Sequence, residues 1–532
     1  MFLRSWVIGL ALFAAAPVGA AEAPPPKLVV AIAVDQFSAD LFAEYRSRFT
    51  GGFARLLGGA VFPSGFQSHS NTETCPGHST ILTGSRPSRT GIISNSWENP
   101  RIKRAQKTIY CVEDENAPGT AQVISPVHLR VPTLGDRLKI ATPASRVVAV
   151  AGKDRSAVLL GGHKSDETWW WRNTRFESYA GRKMPAAVTA ADAAATARLA
   201  AGGQPYDLPE ICKPYEGDVV VSPKLTVGRG RLAFGGKDAA TYYQGTPAAD
   251  AALLDLALAL AKDMKLGQGA ATDVLAVGLS ATDYVGHYFG TAGAEMCIHL
   301  VNLDHVLGRF FAALDATGID YVVALTADHG GHDIPERARN HGIPEGDRID
   351  GSLAASKVGP ELGKTLKLPG NVLIGDQFGL NDFWLDPALT QEQREIALKG
   401  AVAFYKDYRQ VAAVFIAEQL RAAAAPLTPP DEWTPLERAR ASYDAERSGD
   451  FVILLKPRVM PSTQTSVPYT TMHGSAWDYD RRVPIMFWRK GMARFEQPLA
   501  VETVDIMPTL ASMIGLKVPA SEIDGRCLFG CK

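Results

Sequence analysis

The chain has 532 residues, of which 46% are hydrophobic and 21% are charged, a composition typical of globular proteins. Its 55 basic and 56 acidic side chains leave a formal net charge of −1. That balance excludes a global basic field for attracting nucleic acid or an anionic membrane. Because the length exceeds that of one small domain, we expect one large core with insertions, or two lobes.

The first twenty or so residues have the pattern of a secretory signal. Arg4 precedes an apolar stretch at residues 6–16, and VGA at residues 18–20 fits the small-residue cleavage rule. We therefore predict a signal peptide over residues 1–21, a periplasmic or secreted protein, and no membrane span after cleavage. A membrane anchor is the alternative, although the apolar stretch is shorter than the roughly 20 residues that a span requires.

Six cysteines follow the predicted signal: Cys75, Cys111, Cys212, Cys297, Cys527 and Cys531. Export would bring them into an oxidising compartment, where disulfides are permitted. Six cysteines allow 15 pairings, and the most local candidate joins Cys527 to Cys531. Their spacing does not resemble that of a zinc ribbon, so we interpret them as structural.

Continuous apolar, β-branched runs predict strands that are buried on both faces. In chain order these runs are residues 27–34, 146–151, 273–279, 321–326, 451–455 and 483–488. Helical patterns lie between them, at residues 248–266, 295–314 and 504–514. This alternation predicts an α/β protein with a mostly parallel central sheet flanked by helices.

Two long segments interrupt the alternation, at about residues 156–245 and 332–469. Both are richer in Gly, Pro and polar residues than the rest of the chain. We expect them to be cap or lid insertions over the functional site, within one domain that spans residues 27–532.

Five short stretches carry residues of the kinds that bind divalent metals. They are AVDQF with Asp35, NTETCPGH with Thr74, SATDYVGH with Asp283 and His287, LTADHGG with Asp328 and His329, and TTMHGSAW with His473. The three aspartates follow predicted strands, and ligands of open α/β sheets bind outside the carboxyl ends of the strands. Mixed carboxylate and imidazole ligands suit zinc best. Two adjacent metals could hold both the attacking and the leaving oxygen of a phosphoryl displacement.

Taken singly, these residues have simpler interpretations. Thr74 precedes a helical pattern and could merely cap it, whereas a nucleophilic role requires a base or a metal to activate its hydroxyl. Asp283 and His287 are four apart and share one face of a helical turn, which would also fit a surface pair. A lone histidine such as His473 more often packs than binds metal. We expect His78, one helical turn from Thr74, to brace the loop.

Three further polar residues are candidates for binding a phosphoryl group. Lys153 and Arg155, in AGKDRSAVL, directly follow a predicted strand and share one face if the backbone stays extended. Two cations there could hold non-bridging oxygens that stay charged through the transition state. Asn95, in GIISNSW, could donate from its amide. The alternatives are a solvated pair and a turn residue, and we expect residues 169–171 (WWW) to form a packed lid strand rather than to stack on bases.

Taken together, the motifs resemble the threonine-nucleophile branch of the alkaline phosphatase superfamily. These are exported bacterial di-zinc alkaline phosphatases, close in design to the nucleotide pyrophosphatase/phosphodiesterases. The motifs that carry the resemblance are AVDQF, TCPGHSTILTG, GIISNSW, GKDR, DYVGH, ADHGG and MHGSAWDYD. Sulfatases share the fold but use C-x-P-x-R, which the sequence CP at residues 75–76 does not match.

The resemblance implies an alkaline-phosphatase-like core and two zinc ions per chain. One zinc would be held by Asp35, Thr74, Asp328 and His329. The other would be held by Asp283, His287 and His473.

The resemblance also implies the catalytic roles. Thr74 would attack phosphorus and form a phosphothreonine, while Asn95, Lys153 and Arg155 would hold the phosphoryl oxygens. The Lys–Arg pair is similar to that of the monoesterases of the family.

From the resemblance we expect an exported alkaline phosphatase that hydrolyses phosphate monoesters and, more weakly, diesters. Its partners would be small-molecule phosphate esters, with no nucleic-acid partner, and it would act as a monomer. The alternative on the same scaffold is a nucleotide pyrophosphatase/phosphodiesterase. A periplasmic binding protein would also be exported and α/β, but it needs no clustered aspartates and histidines.

Overall fold

The computed structural model describes residues 24–119, 122–375 and 382–531, and the predicted signal peptide at residues 1–21 lies outside this range. The strands of the described residues are β1 Leu28–Val34, β2 Ala60–Phe66, β3 Ser96–Glu98, β4 Thr108–Tyr110, β5 Val147–Ala151, β6 Glu167–Arg172, β7 Arg175–Glu177, β8 Val219–Ser222, β9 Leu225–Val227, β10 Asp273–Leu279, β11 Tyr321–Thr326, β12 Asp347–Arg348, β13 Leu373–Gly375, β14 Asp382–Leu385, β15 Val411–Ile416, β16 Phe451–Leu455, β17 Val459–Met460, β18 Arg482–Arg489, β19 Phe495–Glu496 and β20 Val501–Glu502.

The α-helices alternate with the principal strands. They are α1 Ala39–Tyr45, α2 Gly52–Leu56, α3 Thr74–Ile81, α4 Pro87–Thr90, α5 Leu134–Ala141, α6 Asp154–Gly161, α7 Ala186–Ala201, α8 Ala239–Gln244, α9 Pro247–Asp263, α10 Ala281–Phe289, α11 Ala294–Ala316, α12 Pro335–Asn340, α13 Ala355–Leu366, α14 Gln391–Lys406, α15 Ala417–Ala422, α16 Pro435–Ser442, α17 Asp478–Arg481 and α18 Ile506–Met513.

A ten-stranded sheet forms the centre of the molecule. Its order is β19-β2-β18-β11-β1-β10-β5-β6-β7, with β20 also paired to β2. The inner strands β11, β1, β10, β5 and β6 run parallel, whereas β18 pairs antiparallel with both β11 and β2. The predicted α/β class with a mostly parallel sheet is confirmed.

Helices cover both faces of this sheet, which explains why its central strands are apolar throughout. In β1, Val30 and Ile32 belong to the apolar cluster that includes side chains of α9 and α11. Their neighbours Val29 and Ala31 belong to a second cluster with side chains of α5 and α18. Because successive side chains of a strand point to opposite faces, a strand covered on both sides must be apolar at every position.

A second sheet of four antiparallel strands, in the order β13-β14-β16-β15, lies within residues 332–469. Strand β16 therefore does not belong to the main parallel sheet, although its sequence pattern is the same. Alternate side chains of β16 pack with those of α13 and α14 on one face and of α15 and α16 on the other. Burial on both faces gives a continuous apolar run whatever the strand direction, so the pattern could not distinguish the two cases.

The segment at residues 156–245 contributes to the main sheet before it departs from it. Strand β6 pairs in parallel with β5, and β7 completes that edge. The expectation that residues 169–171 form a lid strand is wrong, since they lie in β6. The three tryptophans are buried because the helical layers cover both faces of this strand as well.

Three disulfides link the six cysteines: Cys75–Cys111, Cys212–Cys297 and Cys527–Cys531. The predicted local pair at the C-terminus is confirmed. The bridge between Cys75 and Cys111 joins the start of α3 to the end of β4. Within the described residues, none of the helices combines the length and apolarity required to cross a membrane.

Candidate metal centre and active site

The carboxyl ends of four adjacent parallel strands bring distant parts of the chain together. Asp35 directly follows β1, and Asp283 lies in the first turn of α10 after β10. Lys153 and Asp328 are each the second residue after their strands, β5 and β11. These strands are neighbours in the order β11-β1-β10-β5. Because parallel strands end at the same edge of a sheet, all four side chains meet there, as the motif positions predict.

Thr74 is the first residue of α3, and the residue in the cap position is Glu73. The simple interpretation of Thr74 as a helix cap is therefore wrong. Gly77 allows this helix to approach the end of β11, because a Cβ on Gly77 would lie 1.9 Å from the carbonyl oxygen of Asp328. As expected, His78 braces the loop: its Nδ1 lies 3.0 Å from both the Thr74 carbonyl oxygen and Asp328 Oδ2.

The loop that carries His473 is attached to the C-terminal turn of α10. Thr470 donates a 2.6 Å hydrogen bond from its hydroxyl to the His287 carbonyl oxygen, and His287 Nδ1 donates to the Thr471 carbonyl oxygen at 2.7 Å. These contacts place the imidazoles of His287 and His473 with ring centroids 5.2 Å apart. A loop residue more than 180 positions away thus joins the Asp283–His287 pair on α10.

Two overlapping groups of potential ligand atoms share His329. Within each group the ligand atoms all lie within 4.8 Å of one another: Asp35, Asp328 and His329 form one group, and Asp283, His329 and His473 form the other. His287 Nε2 lies 3.2 Å from Asp283 Oδ1, beside the second group. The structure therefore brings all six of these carboxylates and imidazoles into one buried cluster.

The three imidazoles are held in one tautomer by backbone carbonyl groups. Nδ1 of His287 donates to Thr471, Nδ1 of His329 to Gly330 at 2.8 Å, and Nδ1 of His473 to Thr72 at 2.9 Å. A carbonyl oxygen can only accept, so each Nδ1 carries the proton when the ring is neutral. Nε2 then keeps the lone pair that a metal ligand requires, and such outer hydrogen bonds are typical of metal-binding histidines.

Several buried atoms of the cluster fit a divalent cation. Asp35 Oδ1, Asp283 Oδ1 and His329 Nε2 make no hydrogen bond within the described residues. Asp35 Oδ2 and Asp328 Oδ2 each face one nitrogen, Lys153 Nζ at 2.6 Å and His78 Nδ1 at 3.0 Å. Burial, followed by the negative charge of Asp328, raises the pKa of Asp35. Carboxylates that are buried together are costly unless a cation compensates them. The donor set of oxygen and imidazole nitrogen is one that zinc accepts.

Lys153 and Arg155 lie beside the Thr74 hydroxyl. Thr74 Oγ1 is 3.5 Å from Lys153 Nζ and 3.4 Å from Arg155 Nη2. Lys153 itself is extended, but α6 begins at Asp154, so the backbone does not meet the condition of an extended segment under which the two side chains would share one face. Both side chains reach Thr74 because the backbone turns into the helix between them.

Lys153 also bridges two carboxylates of the cluster. Its Nζ lies 2.6 Å from Asp35 Oδ2 and 2.6 Å from Asp283 Oδ2. Burial lowers the pKa of Lys153, but the charges of Asp283 and Asp35 outweigh burial and raise the pKa above its ordinary value. The ammonium group is therefore charged at neutral pH despite being buried.

Asn95 is fixed with its amide group at the same site. Its Oδ1 accepts a 2.8 Å hydrogen bond from the Cys75 N–H, and its own N–H donates to Glu73 Oε2 at 2.6 Å. Because Oδ1 is engaged, the amide hydrogens on Nδ2 are what Asn95 can offer to a phosphoryl oxygen.

An open cleft of about 690 Å³ leads to these groups. Thr74, Asn95 and Arg155 lie on its wall together with His287 and His473. Apolar and aromatic side chains complete the wall: Trp97, Trp384, Tyr469 and Met472. The site is therefore accessible to a small molecule, with an apolar surface beside the reactive groups.

Comparison with known proteins identifies the family. A sequence model of the type I phosphodiesterase / nucleotide pyrophosphatase family matches residues 29–476. The chain belongs to this family. Its match includes all ten predicted site residues.

Several relatives are similar in sequence or structure over nearly the full length of the chain. Alkaline phosphatase PhoK from a Sphingomonas species is 50% identical over 514 residues, covering 95% of this chain and 91% of that protein. Alkaline phosphatase PhoD from Zymomonas mobilis is 43% identical over 507 residues, covering 94% and 88%. The crystal structure of wild-type alkaline phosphatase PafA superposes with a TM-score of 0.82 at 27% identity, covering 96% of this chain and 99% of that one.

Sequence reasoning missed Tyr110. Its hydroxyl oxygen accepts a 3.3 Å hydrogen bond from Arg155 Nη1, and its hydroxyl donates to Asp154 Oδ1 at 2.6 Å. A tyrosine is not among the usual metal or phosphate ligands, and it lies 45 positions from Arg155. In the sequence, only the neighbouring Cys111 could have pointed to Tyr110. Cys111 lies at the site because it pairs with Cys75, and the sequence alone does not give that pairing.

Proposed function

We propose that this protein is an exported alkaline phosphatase that hydrolyses phosphate monoesters and, more weakly, diesters. The observation that carries the proposal is the position of Thr74 Oγ1, within 3.5 Å of Lys153 Nζ and Arg155 Nη2 and at the edge of the carboxylate–imidazole cluster. A hydroxyl that faces two cations is placed to attack a dianionic phosphoryl group. Membership of the family and the similarity to PhoK and PhoD support the same reaction.

The proposal includes two zinc ions per chain. The first would be held by Asp35, Thr74, Asp328 and His329, and the second by Asp283, His287 and His473. Bound zinc supplies a Lewis acid that lowers the pKa of a coordinated hydroxyl or water and offsets negative charge. Two observations support this assignment: Asp35 Oδ1 and Asp283 Oδ1 are buried without a hydrogen bond within the described residues, and the histidine tautomers are fixed.

Thr74 is the proposed nucleophile. In the first step its deprotonated Oγ1 forms a bond to phosphorus while the bond from phosphorus to the leaving-group oxygen breaks, which leaves a phosphothreonine. In the second step water attacks phosphorus, and Thr74 leaves as phosphate is released. The N-terminus of α3, where Thr74 lies, favours the negative charge on Oγ1 and on the phosphoryl group.

Lys153, Arg155 and Asn95 hold the phosphoryl oxygens in this proposal. A phosphate monoester presents more negative charge to them than a diester, so charged donors stabilise its transition state more. The two cations beside Thr74 therefore favour a monoesterase over the nucleotide pyrophosphatase/phosphodiesterase alternative. The aromatic wall of the cleft would accommodate the leaving group.

The proposal also covers the location of the protein, its oligomeric state and its domain organisation. Residues 1–21 act as a signal peptide, and the mature protein is periplasmic or secreted. It functions as a monomer on small-molecule phosphate esters, without nucleic acid. One domain at residues 27–532 carries the insertions at about 156–245 and 332–469.

A rate comparison tests the function. Purified protein should hydrolyse an aryl phosphate monoester with a higher kcat/KM than the diester of the same alcohol under identical conditions. A preparation of Thr74→Ala made in parallel controls for contaminating phosphatase. Faster turnover of the diester would establish the phosphodiesterase alternative instead.

A further inference from the structure

Arg155 is held at two points by neighbours that have no part in the proposed chemistry. Its Nη1 donates to the Tyr110 hydroxyl oxygen at 3.3 Å, and its backbone N–H donates to Asp154 Oδ1 at 2.7 Å. The same Asp154 oxygen accepts the Tyr110 hydroxyl proton at 2.6 Å. Tyr110 and Asp154 thus form a hydrogen-bonded frame that holds Arg155 at its guanidinium Nη1 and at its backbone N–H.

The two terminal nitrogens of the guanidinium group have different partners. Nη1 is bound by Tyr110, while Nη2 lies 3.4 Å from Thr74 Oγ1. A free arginine side chain has considerable rotamer entropy, which must be lost when it binds a ligand. Anchoring one end before substrate arrives fixes the direction of the other, since the group is planar and rigid.

Tyr110 is itself attached to the helix that carries the nucleophile. It is the last residue of β4, and the next residue, Cys111, forms the disulfide with Cys75. Cys111 N–H also donates to the carbonyl oxygen of Asn95 at 3.0 Å. Movement of Tyr110 relative to Thr74 is therefore restricted by a covalent bridge and a hydrogen bond.

The direction of the hydrogen bonds is determined by chemistry. Burial raises the pKa of Tyr110 above its ordinary value, with the charge of Arg155 acting in the opposite sense, so the phenol remains protonated. The single hydroxyl proton goes to the Asp154 carboxylate, which can only accept. The phenol oxygen then faces Arg155 as an acceptor, and guanidinium can only donate.

We propose that Tyr110 is a positioning residue that directs Arg155 Nη2 toward the phosphoryl group at Thr74. This inference depends on the phosphatase function proposed above, in which Arg155 binds a phosphoryl oxygen. In this proposal Tyr110 contacts neither the substrate nor the metal ligands, and it acts only through Arg155.

A double-mutant cycle tests the inference with the full chain. Arg155→Ala should lower kcat/KM for an aryl phosphate monoester about 100-fold, as the loss of one oxyanion donor does. Tyr110→Phe removes only the hydroxyl and should lower it about 10-fold, typical of one hydrogen bond to a charged group. In the Arg155→Ala background, Tyr110→Phe should change kcat/KM less than about twofold, because its partner is already gone.

Tyr405→Phe is the matched control. Tyr405 is buried in the second sheet region, and its hydroxyl donates to the Leu353 carbonyl oxygen at 2.8 Å. This variant loses a buried hydroxyl of the same kind and should keep wild-type kcat/KM. If Tyr110→Phe does not fold, Asp154→Asn perturbs the same frame and should show the same dependence on Arg155.

The outcomes distinguish the proposed role of Arg155 from the inferred role of Tyr110. If Arg155→Ala keeps wild-type activity, the proposed role of Arg155 in the phosphatase is wrong. If Arg155→Ala is impaired but Tyr110→Phe is not, or if Tyr110→Phe costs the same factor with and without Arg155, Tyr110 does not act through Arg155 and the inference is overturned.

Discussion

Removal of the Cys75–Cys111 disulfide should weaken both stability and catalysis, whereas removal of Cys212–Cys297 should weaken stability alone. The two bridges span 36 and 85 residues of sequence. With these separations the chain-entropy model gives stabilisations of about 4 kcal/mol for Cys75–Cys111 and about 4.5 kcal/mol for Cys212–Cys297. Paired Cys→Ala variants should therefore lose similar amounts of unfolding free energy.

Their catalytic effects should differ because only one bridge reaches the site. Cys75 directly follows Thr74, and its N–H holds Asn95 Oδ1 at 2.8 Å. Cys111 directly follows Tyr110, which binds Arg155. The other bridge joins a 3₁₀ turn at Glu210–Tyr215 to α11. Misplacement of reacting groups by about 1 Å can lower a rate on the order of 100-fold. We therefore expect loss of the Cys75–Cys111 bridge alone to lower kcat/KM by about 10- to 100-fold.

The assay combines urea unfolding with monoester kinetics on the same preparations, below the temperature at which either variant begins to unfold. Zinc content is measured in parallel, because two of the proposed ligands, Asp283 and His287, lie in the segment that the Cys212–Cys297 bridge closes, and a loss of metal must be distinguished from a loss of alignment. Wild-type kcat/KM in the folded Cys75→Ala/Cys111→Ala variant would refute the role of this bridge. Equal losses of activity in both variants would show that only stability was affected.

Three further outcomes follow from the site and its surroundings. Thr74→Ala should lower kcat/KM about 10⁴-fold or more and form no phosphoenzyme on acid quench, whereas Thr74→Ser should give a phosphoserine by mass spectrometry; full activity of the alanine variant would exclude this nucleophile. Chelation with EDTA should abolish hydrolysis and added zinc should restore it, and activity that resists exhaustive chelation would contradict a metal-dependent reaction. The hydrogen bond to Asp136 raises the pKa of His163 in the folded protein. The protonated imidazole therefore stabilises the folded state fully below the unfolded pKa of about 6.5, and this stabilisation is lost as pH rises through the folded pKa. His163→Gln should therefore reduce unfolding free energy more at pH 5.5 than at pH 9, by less than about 1 kcal/mol because the side chain is 38% exposed, and an equal loss at both pH values would contradict this.

The parts of the site that follow strands could be predicted from sequence. Asp35 and Asp328 lie just after β1 and β11, which are parallel neighbours in the sheet. Residues that follow neighbouring parallel strands lie close together, whatever the conformation of the connecting loops. Asp283 and His287 follow from helical spacing within α10. In each case a short-range rule fixes the side-chain position.

Other features depend on contacts that no local pattern encodes. The direction of β16 is set by its partners β14 and β15, which are recognisable only in three dimensions. The sequence did not show whether the backbone from Lys153 to Arg155 stays extended, and α6 begins between them. Tyr110 reaches the site through the Cys75–Cys111 bridge, whereas among the 15 possible pairings the sequence favours only the local pair Cys527–Cys531.

Anomalous diffraction at the zinc absorption edge from crystals of the purified protein tests the metal centre most directly. We predict two peaks per chain, one within about 2.0–2.2 Å of donor atoms of Asp35, Asp328 and His329, and the other at the same distance from Asp283, His287 and His473. The absence of any peak at these residues in catalytically active crystals, or a single peak with the second set of ligands bound only to protein, would contradict the two-metal site.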